Sequence, residues 1–432
     1  MSDRRESGTS ERRVHDHLAA ALLPTLADAQ DGQEAAERTI AEATMRDAVD
    51  ARASDIHLDA FRGRYRVRFR IDGVMVDVAE VDHDDGAQLV NQFRALARID
   101  PVASHGPEDG RFSYTLDDLD LDVRVTGAPC VAGEKLAIRL LAPDRVRQDI
   151  GELGLEAQEL QYLQAWLQGV GGMLLVAGPT GSGKTTTLYS LLHQLSLTDH
   201  QVLTLEDPVE YGISGINQMP VDPERGWDFA EGAQAMLRLD PDYLVIGELT
   251  QKESARAAAN AAAGGKATMA TIHSRDAADT VTVLRNYGLD DFEVAANLQL
   301  VVAQRLVRRL CPDCRQERAP EEQDRRWMKA LALSVPERVW AACGCEQCQG
   351  MGFKGRIGVF EVWRPSDEEY SMILEHVGAH EIRRSLAERE HRFLLDDGLE
   401  KARVGVTSLS ELRSLGALSA TAARGRASLV AG

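Results

Sequence analysis

The sequence predicts an α/β protein in which a smaller α+β domain precedes a larger domain built on a parallel sheet. The chain has 432 residues, of which 44% are apolar and 27% charged, and this supplies enough apolar material for more than one core. Before residue 142, apolar and polar side chains alternate in the manner of strands. Beyond that point, short apolar runs are separated by helix-length segments.

Charge and hydropathy exclude several classes of protein. The chain has 49 lysines and arginines against 68 aspartates and glutamates, so the formal charge of −19 disfavours a protein that binds nucleic acid through a basic surface. No stretch approaches the roughly 18 uncharged apolar residues of a membrane-spanning helix. Residues 1–17 are polar and lack the apolar segment of a signal peptide. We therefore expect a cytoplasmic protein that contacts a membrane only peripherally.

The predicted N-terminal domain spans residues 34–142 and begins with a helix. Residues 1–33 are rich in charged and small side chains, and we expect them to be disordered or to form a short helix. From Glu34 to Ala53 the apolar side chains recur at the spacing of an amphipathic helix. This helix supplies the apolar face that the following strands can cover.

Alternating strands make up the rest of the N-terminal domain. In Tyr65–Ile71 every second side chain is apolar and those between are arginines, which predicts a strand with one face in water. Asp72 and Gly73 follow as a turn. Leu119–Thr126 and Lys135–Leu141 repeat the alternation. The prediction is a sheet with arginines along its wet face.

A linker and a larger domain follow. Residues 143–154 contain a proline and two glycines and few apolar side chains, so we place the domain linker there. The larger domain is predicted to span 155–415, with 416–432 as a disordered tail. Its predicted strands are Met173–Ala177, Val202–Leu205, Tyr243–Ile246 and Thr268–Ile272. Strands separated by helices predict a parallel sheet covered on both faces.

The strongest motif is G-x-x-x-x-G-K-T, directly after the first strand of the larger domain. Together with the next threonine, its residues are Gly178, Pro179, Thr180, Gly181, Ser182, Gly183, Lys184, Thr185 and Thr186. The glycines let backbone N–H groups turn towards phosphate oxygens, and the following helix directs its positive end at the same phosphates. Lys184 would reach the β- and γ-phosphates, and the Thr185 hydroxyl would bind Mg²⁺. The motif predicts a nucleoside triphosphate site.

Hydrolysis requires a carboxylate near the attacking water, and two strand ends supply candidates. The third predicted strand runs into Glu248, which can polarise water for in-line attack on the γ-phosphate. The second is followed by Glu206, Asp207 and Glu210, for which a role beside the magnesium and a solvated loop are both open. His273, at the end of the fourth strand, is either a γ-phosphate sensor or a structural histidine.

A cluster of cysteines predicts a metal site. The two C-x₂-C pairs are Cys311 with Cys314 and Cys345 with Cys348. Four thiolates in this pattern can bind Zn²⁺ as a closed tetrahedron, which makes the ion structural rather than catalytic. Thiol redox chemistry is an alternative, although no thioredoxin-like strand precedes the pairs. Cys343 could compete as a ligand, but only Cys345 completes a C-x₂-C pair with Cys348.

In this order, the motifs resemble the type II secretion and type IV pilus assembly ATPase family. The matching segments of the larger domain are GPTGSGKTTTLY, LEDPVE, LRLDPDYLVIGE, ATIHS, VVAQRLVRRLCPDC and GCEQCQGMGFKGRIGVFEV. Those of the N-terminal domain are ASDIH, RFRIDG, EDGRF and GEK. The resemblance covers Ala53 to Val362. It implies a RecA-like P-loop ATPase domain, preceded by a PAS-like domain and carrying a zinc-knuckle insertion at 311–355.

The resemblance implies roles for the acidic residues and the histidine. Glu206, Asp207 and Glu210 match the Asp box of the family, in which the residue at the position of Glu210 lies beside the metal and the water. Glu248 matches the Walker B glutamate, and His273 matches the second histidine of the His box. On this basis we expect catalysis to depend on Glu210, Glu248 and His273, with Glu206 and Asp207 on the magnesium side.

Arg124 and Arg139 also gain a role from the resemblance. Arginines at matching positions reach the triphosphate when the N-terminal domain closes, where a guanidinium neutralises charge on the γ-phosphoryl group. Taken alone, both could equally be solvent-facing strand residues. The resemblance further implies ATP, Mg²⁺ and structural Zn²⁺ as cofactors, and a homohexamer. The partners it implies are an inner-membrane platform protein and a cytoplasmic docking protein, with no nucleic acid.

The sequence departs from the family at several positions. Thr250 and Gln251 follow Glu248 where the family usually has arginine and aspartate, and Lys266 stands at the first histidine of the His box. These changes bear on turnover and on coupling between subunits more than on nucleotide binding. We also expect the additional N-terminal domain of many family members to be absent or reduced to residues 1–33.

The sequence is compatible with three functions. The leading hypothesis is a cytoplasmic ring ATPase, at the inner face of the membrane, that powers type IV pilus assembly or pseudopilus extension in type II secretion. The resemblance also implies assembly or secretion rather than retraction, because the retraction motors of the family generally lack the tetracysteine element. One alternative is a nucleotide-binding scaffold of the same machine with weak hydrolysis. The other is a RecA-like nucleic-acid motor, which the charge of −19 and the aromatic content of 5% disfavour.

Overall fold

A computed structural model describes residues 39–100, 106–116, 119–141, 149–169, 171–195 and 199–415. The segments predicted as disordered, 1–33 and 416–432, lie outside the described residues. The described chain divides into two compact units. The first contains the described residues up to 141 together with 311–315 and 342–355, and the second contains the remainder. The cysteine pairs therefore belong in space to the first unit, although in sequence they interrupt the larger domain.

The first unit is a six-stranded antiparallel sheet with two helices. In chain order its elements are α1 (Ile40–Asp50), β1 (Ala53–Phe61), β2 (Arg64–Ile71), β3 (Val74–Asp82), α2 (His83–Leu96), β4 (Glu108–Leu116), β5 (Leu119–Cys130) and β6 (Gly133–Leu141). The strand order is β3-β2-β1-β6-β5-β4. Helix α1 begins at a capping box, in which the Thr39 side chain accepts from Glu42 N and the Glu42 carboxylate accepts from Thr39 N.

Each strand of this sheet separates an apolar face from a charged one. Phe69 of β2 and Ile138 of β6 are buried, and they join Met45 of α1 and Phe93 of α2 in one core. The arginines of β2 alternate with its buried residues, as the sequence predicts. The predicted turn at Asp72 and Gly73 has positive φ at both residues (50° and 87°), the geometry of a tight hairpin connection.

The second unit is built on a seven-stranded sheet. Its strands are β7 (Gly172–Ala177), β8 (Val202–Glu206), β9 (Asn217–Pro220), β10 (Tyr243–Leu249), β11 (Ala267–Ile272), β12 (Leu298–Leu310) and β15 (Phe353–Trp363). The order is β15-β12-β7-β11-β10-β8-β9, and the strands from β12 to β9 run parallel. The α/β fold class predicted from the sequence is therefore confirmed. Two shorter strands, β13 (Gln316–Arg318) and β14 (Val339–Ala341), pair separately.

Helices connect the strands of the second unit. They are α3 (Ala157–Leu167), α4 (Lys184–Leu192), α5 (Phe229–Leu237), α6 (Lys252–Ala263), α7 (Asp279–Asn286), α8 (Asp291–Asn297), α9 (Glu322–Ala330), α10 (Asp367–Leu374), α11 (Ala379–Glu388), α12 (Leu394–Arg403) and α13 (Leu409–Ser414). Short 3₁₀ turns occur at Ile150–Glu152, Pro223–Arg225 and Glu346–Cys348. Ile150 and Leu153 are buried in a core of the second unit, so the described end of the predicted linker is packed rather than extended.

The sheet of the second unit is buried on both faces. Met173, Leu175 and Ala177 of β7 enter one core, while Leu174 and Val176 enter the other. This two-sided burial explains why the parallel strands read as continuous apolar runs. Since β7, β11 and β10 are parallel neighbours, the residues that follow them converge at the C-terminal ends of these strands. Within the described residues, no helix combines the length and the hydropathy of a membrane-spanning segment.

Candidate nucleotide site and cysteine cluster

The phosphate loop connects β7 to the N-terminus of α4. Gly183, with φ of 88°, is the N-cap of α4, and Gly181 also has a positive φ of 76°. A Cβ on Gly178 would lie 2.5 Å from Ser182 Oγ and 2.7 Å from Gln304 O, so this position has no room for a side chain. The loop therefore takes a path along which backbone N–H groups at a helix N-terminus are available to an anion.

Lys184 lies folded over this loop. Its Nζ donates to Gly178 O at 3.0 Å and to Pro179 O at 3.3 Å, and lies 3.9 Å from Glu248 Oε1. Burial lowers the pKa of Lys184, and the neighbouring Glu248 carboxylate opposes this shift. Ser182 Oγ is buried, and no protein atom of the described chain hydrogen-bonds to it. An oxygen of a bound phosphate would supply the missing partner, so the loop fits the predicted ligand.

Glu248 and His273 meet at the ends of adjacent strands. His273 Nε2 lies 2.5 Å from Glu248 Oε1, and both side chains are partly exposed to solvent. Thr271 Oγ1 donates to Gly247 O at 2.6 Å, which fixes the end of β10 against β11 just before the glutamate. A carboxylate held by a histidine, within 4 Å of the loop lysine, is placed to orient and deprotonate a water molecule. The structure thus brings Lys184, Glu248 and His273 together.

Glu206 does not fit the magnesium-side role predicted from the sequence. It is only 4% exposed. Its Oε1 accepts from Thr204 Oγ1 at 2.5 Å and from Gln218 Nε2 at 3.1 Å, and its Oε2 accepts from the Tyr189 hydroxyl. Both oxygens therefore accept hydrogen bonds from neutral donors. Asp207, the next residue, is exposed at the surface and stays a candidate for the metal side.

Arg124 and Arg139 are neighbours across strands β5 and β6. They are directly paired in register and lie on the charged face of the first unit. Arg124 Nε lies 3.6 Å from Asp122 Oδ2, and Arg139 Nε donates to Asp55 Oδ1 at 3.3 Å. The phosphate loop belongs to the second unit. Their approach to a triphosphate stays a prediction.

Sequence reasoning assigned no role to Gln304. This residue is 1% exposed on β12, where its Nε2 donates to Ser182 O at 2.7 Å and its Oε1 accepts from Thr187 Oγ1 at 2.7 Å. It therefore holds the phosphate loop from behind. The signal was present, because Gln304 is the polar residue that follows the apolar run Leu300–Ala303 within the matched segment VVAQRLVRRL.

Lys266 lies away from the phosphate loop. It immediately precedes β11, whereas His273 immediately follows that strand, so the two residues lie at opposite ends of β11. Lys266 Nζ pairs with Asp240 Oδ1 at 3.0 Å. Gln251 occupies the N-cap of α6, and its backbone carbonyl accepts from Ser254 Oγ at 2.9 Å. Neither departure from the family pattern removes a side chain from the group formed by Lys184, Glu248 and His273.

The cysteine cluster has the dimensions of a zinc site. The Sγ atoms of Cys311, Cys314, Cys345 and Cys348 all lie within 4.8 Å of one another. The separations are 3.9 Å for Cys311–Cys345 and 3.8 Å for both Cys314–Cys348 and Cys345–Cys348. A tetrahedron with Zn–S bonds of about 2.3 Å has edges of about 3.8 Å, so these thiols fit zinc. Cys343 is exposed and is not part of the cluster.

Backbone groups support the cluster. The N–H groups of Cys345 and Gly352 point at Cys348 Sγ, at 3.2 Å and 3.1 Å, and would stabilise a thiolate there. Gly344 has φ of 94°, and a Cβ on it would lie 2.4 Å from Gly350 O. Glycine is therefore required where the chain turns into the second cysteine pair.

The chain is similar to known secretion and pilus proteins over most of its length. The family model described as type II/IV secretion system protein matches residues 29–414. The type II secretion system protein E of Aeromonas hydrophila is 36% identical over 371 residues, which cover 86% of this chain and 74% of the relative. The type IV pilus assembly ATPase PilB of Pseudomonas aeruginosa is 36% identical over 374 residues, covering 85% of this chain and 65% of the relative.

Solved structures support the fold. The ATPase DotB of Legionella pneumophila aligns with a TM-score of 0.64 and 18% identity, covering 86% of this chain and 94% of that one. The pilus retraction motor PilT with bound ADP aligns with a TM-score of 0.58 and 22% identity, covering 88% and 98%. The resemblance inferred from the motifs is thus confirmed by a match that spans nearly the whole described chain, and the chain belongs to the type II/IV secretion system protein family.

Proposed function

We propose that this protein is an ATPase that powers type IV pilus assembly or the extension of a type II secretion pseudopilus. The observation that carries the proposal is the convergence of Lys184, Glu248 and His273 beside a phosphate loop. A lysine for the β- and γ-phosphates and a carboxylate for the water are the parts that in-line hydrolysis of a triphosphate requires. The relatives named as ATPases of pilus assembly and type II secretion support the assignment.

Each side chain has a defined part in the proposed reaction. The loop from Gly178 to Thr186 binds the phosphates through its backbone N–H groups, and Lys184 leaves its carbonyl partners to contact the β- and γ-phosphates. Thr185 would bind Mg²⁺, which would neutralise charge on the phosphate oxygens. Glu248 accepts the proton of the attacking water while His273 keeps the carboxylate oriented.

The remaining parts of the proposal concern residues outside this group. Asp207 and Glu210 would act on the side of the magnesium and the water. Arg124 and Arg139 would complete the site when the N-terminal domain closes, so that hydrolysis is coupled to domain motion. The four clustered cysteines would hold Zn²⁺ as a structural ion. The N-terminal domain (34–142) and ATPase domain (155–415) are the proposed functional divisions.

The family of the chain also supports a proposal for its assembly and location. We propose a homohexamer on the cytoplasmic face of the inner membrane, bound to a platform protein and a cytoplasmic docking protein of the machine. A scaffold with weak hydrolysis is the second candidate, and Thr250 in the segment after Glu248 favours it. Lys266 does not favour the scaffold, because it lies at the N-terminal end of β11, whereas the phosphate loop follows the C-terminal end of the neighbouring strand β7.

The proposal is tested by measuring ATP binding and phosphate release on the full chain with Mg-ATP. Lys184→Ala should weaken ATP binding at least about tenfold, because a charge-assisted contact to phosphate is lost. Lys266→Ala is the matched control, since it removes a lysine from the opposite, N-terminal end of the strands of the same sheet. It should leave ATP affinity within about twofold of wild type. Unchanged affinity in Lys184→Ala would refute the phosphate-loop assignment. A wild-type chain that binds ATP but releases no phosphate would favour the scaffold.

A further inference from the structure

We propose that Tyr189 is a positioning residue for ATP hydrolysis, because its hydroxyl joins helix α4 to the loop 207–216 that carries Glu210. This inference rests on the proposed function and extends it to a residue that the motifs do not assign. Helix α4 begins directly after the phosphate loop, and the loop 207–216 carries Asp207 and Glu210, the proposed acidic residues of the Asp box. A fixed link between them would set the distance from the nucleotide to those carboxylates.

The Tyr189 hydroxyl both donates and accepts a hydrogen bond at this link. A phenol donates one hydrogen bond and accepts two. The Tyr189 hydroxyl donates to Glu206 Oε2 and accepts from Glu210 N at 3.3 Å. Gln218 Nε2 also lies 3.3 Å from this hydroxyl, and its two N–H groups are shared among Tyr189, Glu206 Oε1 and Tyr211 O. The side chain is 2% exposed. One oxygen atom therefore contacts β8, β9 and the backbone of the residue proposed to lie beside the water.

The middle of the loop is held by the same group of side chains. Gln218 accepts from Ile213 N at 2.6 Å through its Oε1 and donates to Tyr211 O at 3.1 Å through its Nε2. The ring of Tyr211 packs edge-on against the ring of Tyr189, with centroids 4.7 Å apart. Thr204, paired in register with Gln218 across β8 and β9, completes the contacts to the Glu206 carboxylate.

Helix periodicity connects this network to the phosphate end of α4. Tyr189 follows Thr185 by four residues, so both side chains lie on the same face of the helix, one turn and about 6 Å apart along its axis. The residue proposed to bind magnesium and the residue that holds Glu210 N are thus neighbours on one rigid element. Burial and the nearby Glu206 carboxylate raise the pKa of Tyr189, which keeps its hydroxyl protonated as a donor at physiological pH.

A purely structural role is the competing explanation, since Tyr189 lies in a core and its hydroxyl satisfies a buried carboxylate. The two explanations differ in what they predict for kinetics. A structural tyrosine contributes to the stability of the folded chain and leaves the chemistry of folded molecules unchanged. A positioning tyrosine changes kcat in molecules that are folded and bind ATP normally.

The test is Tyr189→Phe in the full chain, with ATP binding, kcat, KM and Tm measured together. We expect kcat to fall about tenfold, with ATP affinity and KM within about twofold of wild type, because the link to Glu210 is lost while the phosphate loop is intact. Tyr243→Phe is the matched control. Tyr243 is also buried and begins β10, at the opposite end of this strand from Glu248, and its hydroxyl donates to Leu167 O. Loss of this hydroxyl should lower Tm but leave kcat unchanged.

A double variant separates stability from positioning. In Tyr189→Phe, the buried Glu206 carboxylate loses a hydrogen-bond donor, and we expect this loss to lower Tm. The double variant Tyr189→Phe/Glu206→Gln replaces the same carboxylate by a neutral amide. We expect the double variant to recover Tm and to keep the reduced kcat. Recovery of kcat together with Tm would overturn the proposal, as would an unchanged kcat in Tyr189→Phe or a loss of kcat fully matched by a loss of ATP affinity.

The outcomes also distinguish this proposal from the proposed function. If Glu248→Gln abolishes phosphate release and Tyr189→Phe does not change it, the ATPase assignment stands and only the positioning role fails. If Glu248→Gln releases phosphate at the wild-type rate, the assignment of the catalytic site fails irrespective of Tyr189.

Discussion

Buried ionisable side chains in the second unit show how strongly local surroundings set charge. Glu361 on β15 is fully buried, and burial together with the nearby Asp276 raises its pKa to about 8. His391 Nε2 lies 3.9 Å from Glu361 Oε1, and burial lowers the pKa of this histidine to about 4. Both groups are therefore neutral at pH 7, which removes the cost of burying a charge that no ion pair compensates. Arg383, paired with Asp276, moderates the shift of Glu361.

Replacement of Glu361 by glutamine tests this pKa shift. The pKa in the folded state lies above the ordinary value of 4.5, so the unfolded chain ionises first as pH rises, and the wild type loses stability between pH 4.5 and about 8. Glu361→Gln has no carboxyl group at this position, so it should not lose stability through this ionisation. Between pH 5.5 and 8 we expect its free energy of unfolding to rise relative to wild type by at least about 1 kcal/mol, measured by urea unfolding.

The control for this measurement is Glu375→Gln, which removes a carboxylate from the exposed end of α10. Its free energy of unfolding should follow that of the wild type across the same pH range. His391 acts in the opposite direction, since its lowered pKa costs stability as pH falls from 6.5 towards 4. Parallel pH curves for Glu361→Gln and wild type between pH 5.5 and 8 would contradict the raised pKa.

At the scale of elements, the sequence predicted the positions of the strands well, but it did not predict which side chains of different strands contact one another. The run Met173–Ala177 is observed as Gly172–Ala177, because continuous apolar residues in a parallel sheet are buried on both faces. The apolar run Tyr243–Ile246 belongs to a strand that continues to Leu249, so Glu248 is the last residue but one of this strand, close to the predicted strand end. Periodicity cannot show that Glu206 meets Tyr189 and Gln218, since those contacts depend on which strands lie side by side.

The zinc knuckle is an element whose prediction can be tested directly. The full chain should contain one zinc per subunit by elemental analysis, and Cys345→Ser should lose most of it and lower Tm, because the closed set of four sulfurs is broken. Cys343→Ser is the matched control, since it removes an exposed cysteine two residues away and should retain zinc and Tm. Loss of zinc in Cys343→Ser but not in Cys345→Ser would reverse the ligand assignment.

At the scale of the whole molecule, the sequence predicted both sheets and their order along the chain. Alternating residues before residue 142 form the antiparallel sheet of the first unit, and apolar runs after residue 172 form the parallel sheet of the second. The grouping of 311–315 and 342–355 with the first unit could not be predicted, because local patterns do not report which distant segments pack together. The sequence marks Gln304 as a polar residue after an apolar run, but its contact with Ser182 of the phosphate loop could not be predicted, because the two residues are distant in sequence.

The central claim is that Glu248 activates water at the phosphate loop, and phosphate release by Glu248→Gln tests it most directly. The amide keeps the size of the side chain and its contact with His273, but it cannot accept the proton of the attacking water. We expect kcat for Mg-ATP to fall by about 10²–10⁴, with ATP affinity within about threefold of wild type. Phosphate release at the wild-type rate, in a variant that binds ATP normally, would contradict the account.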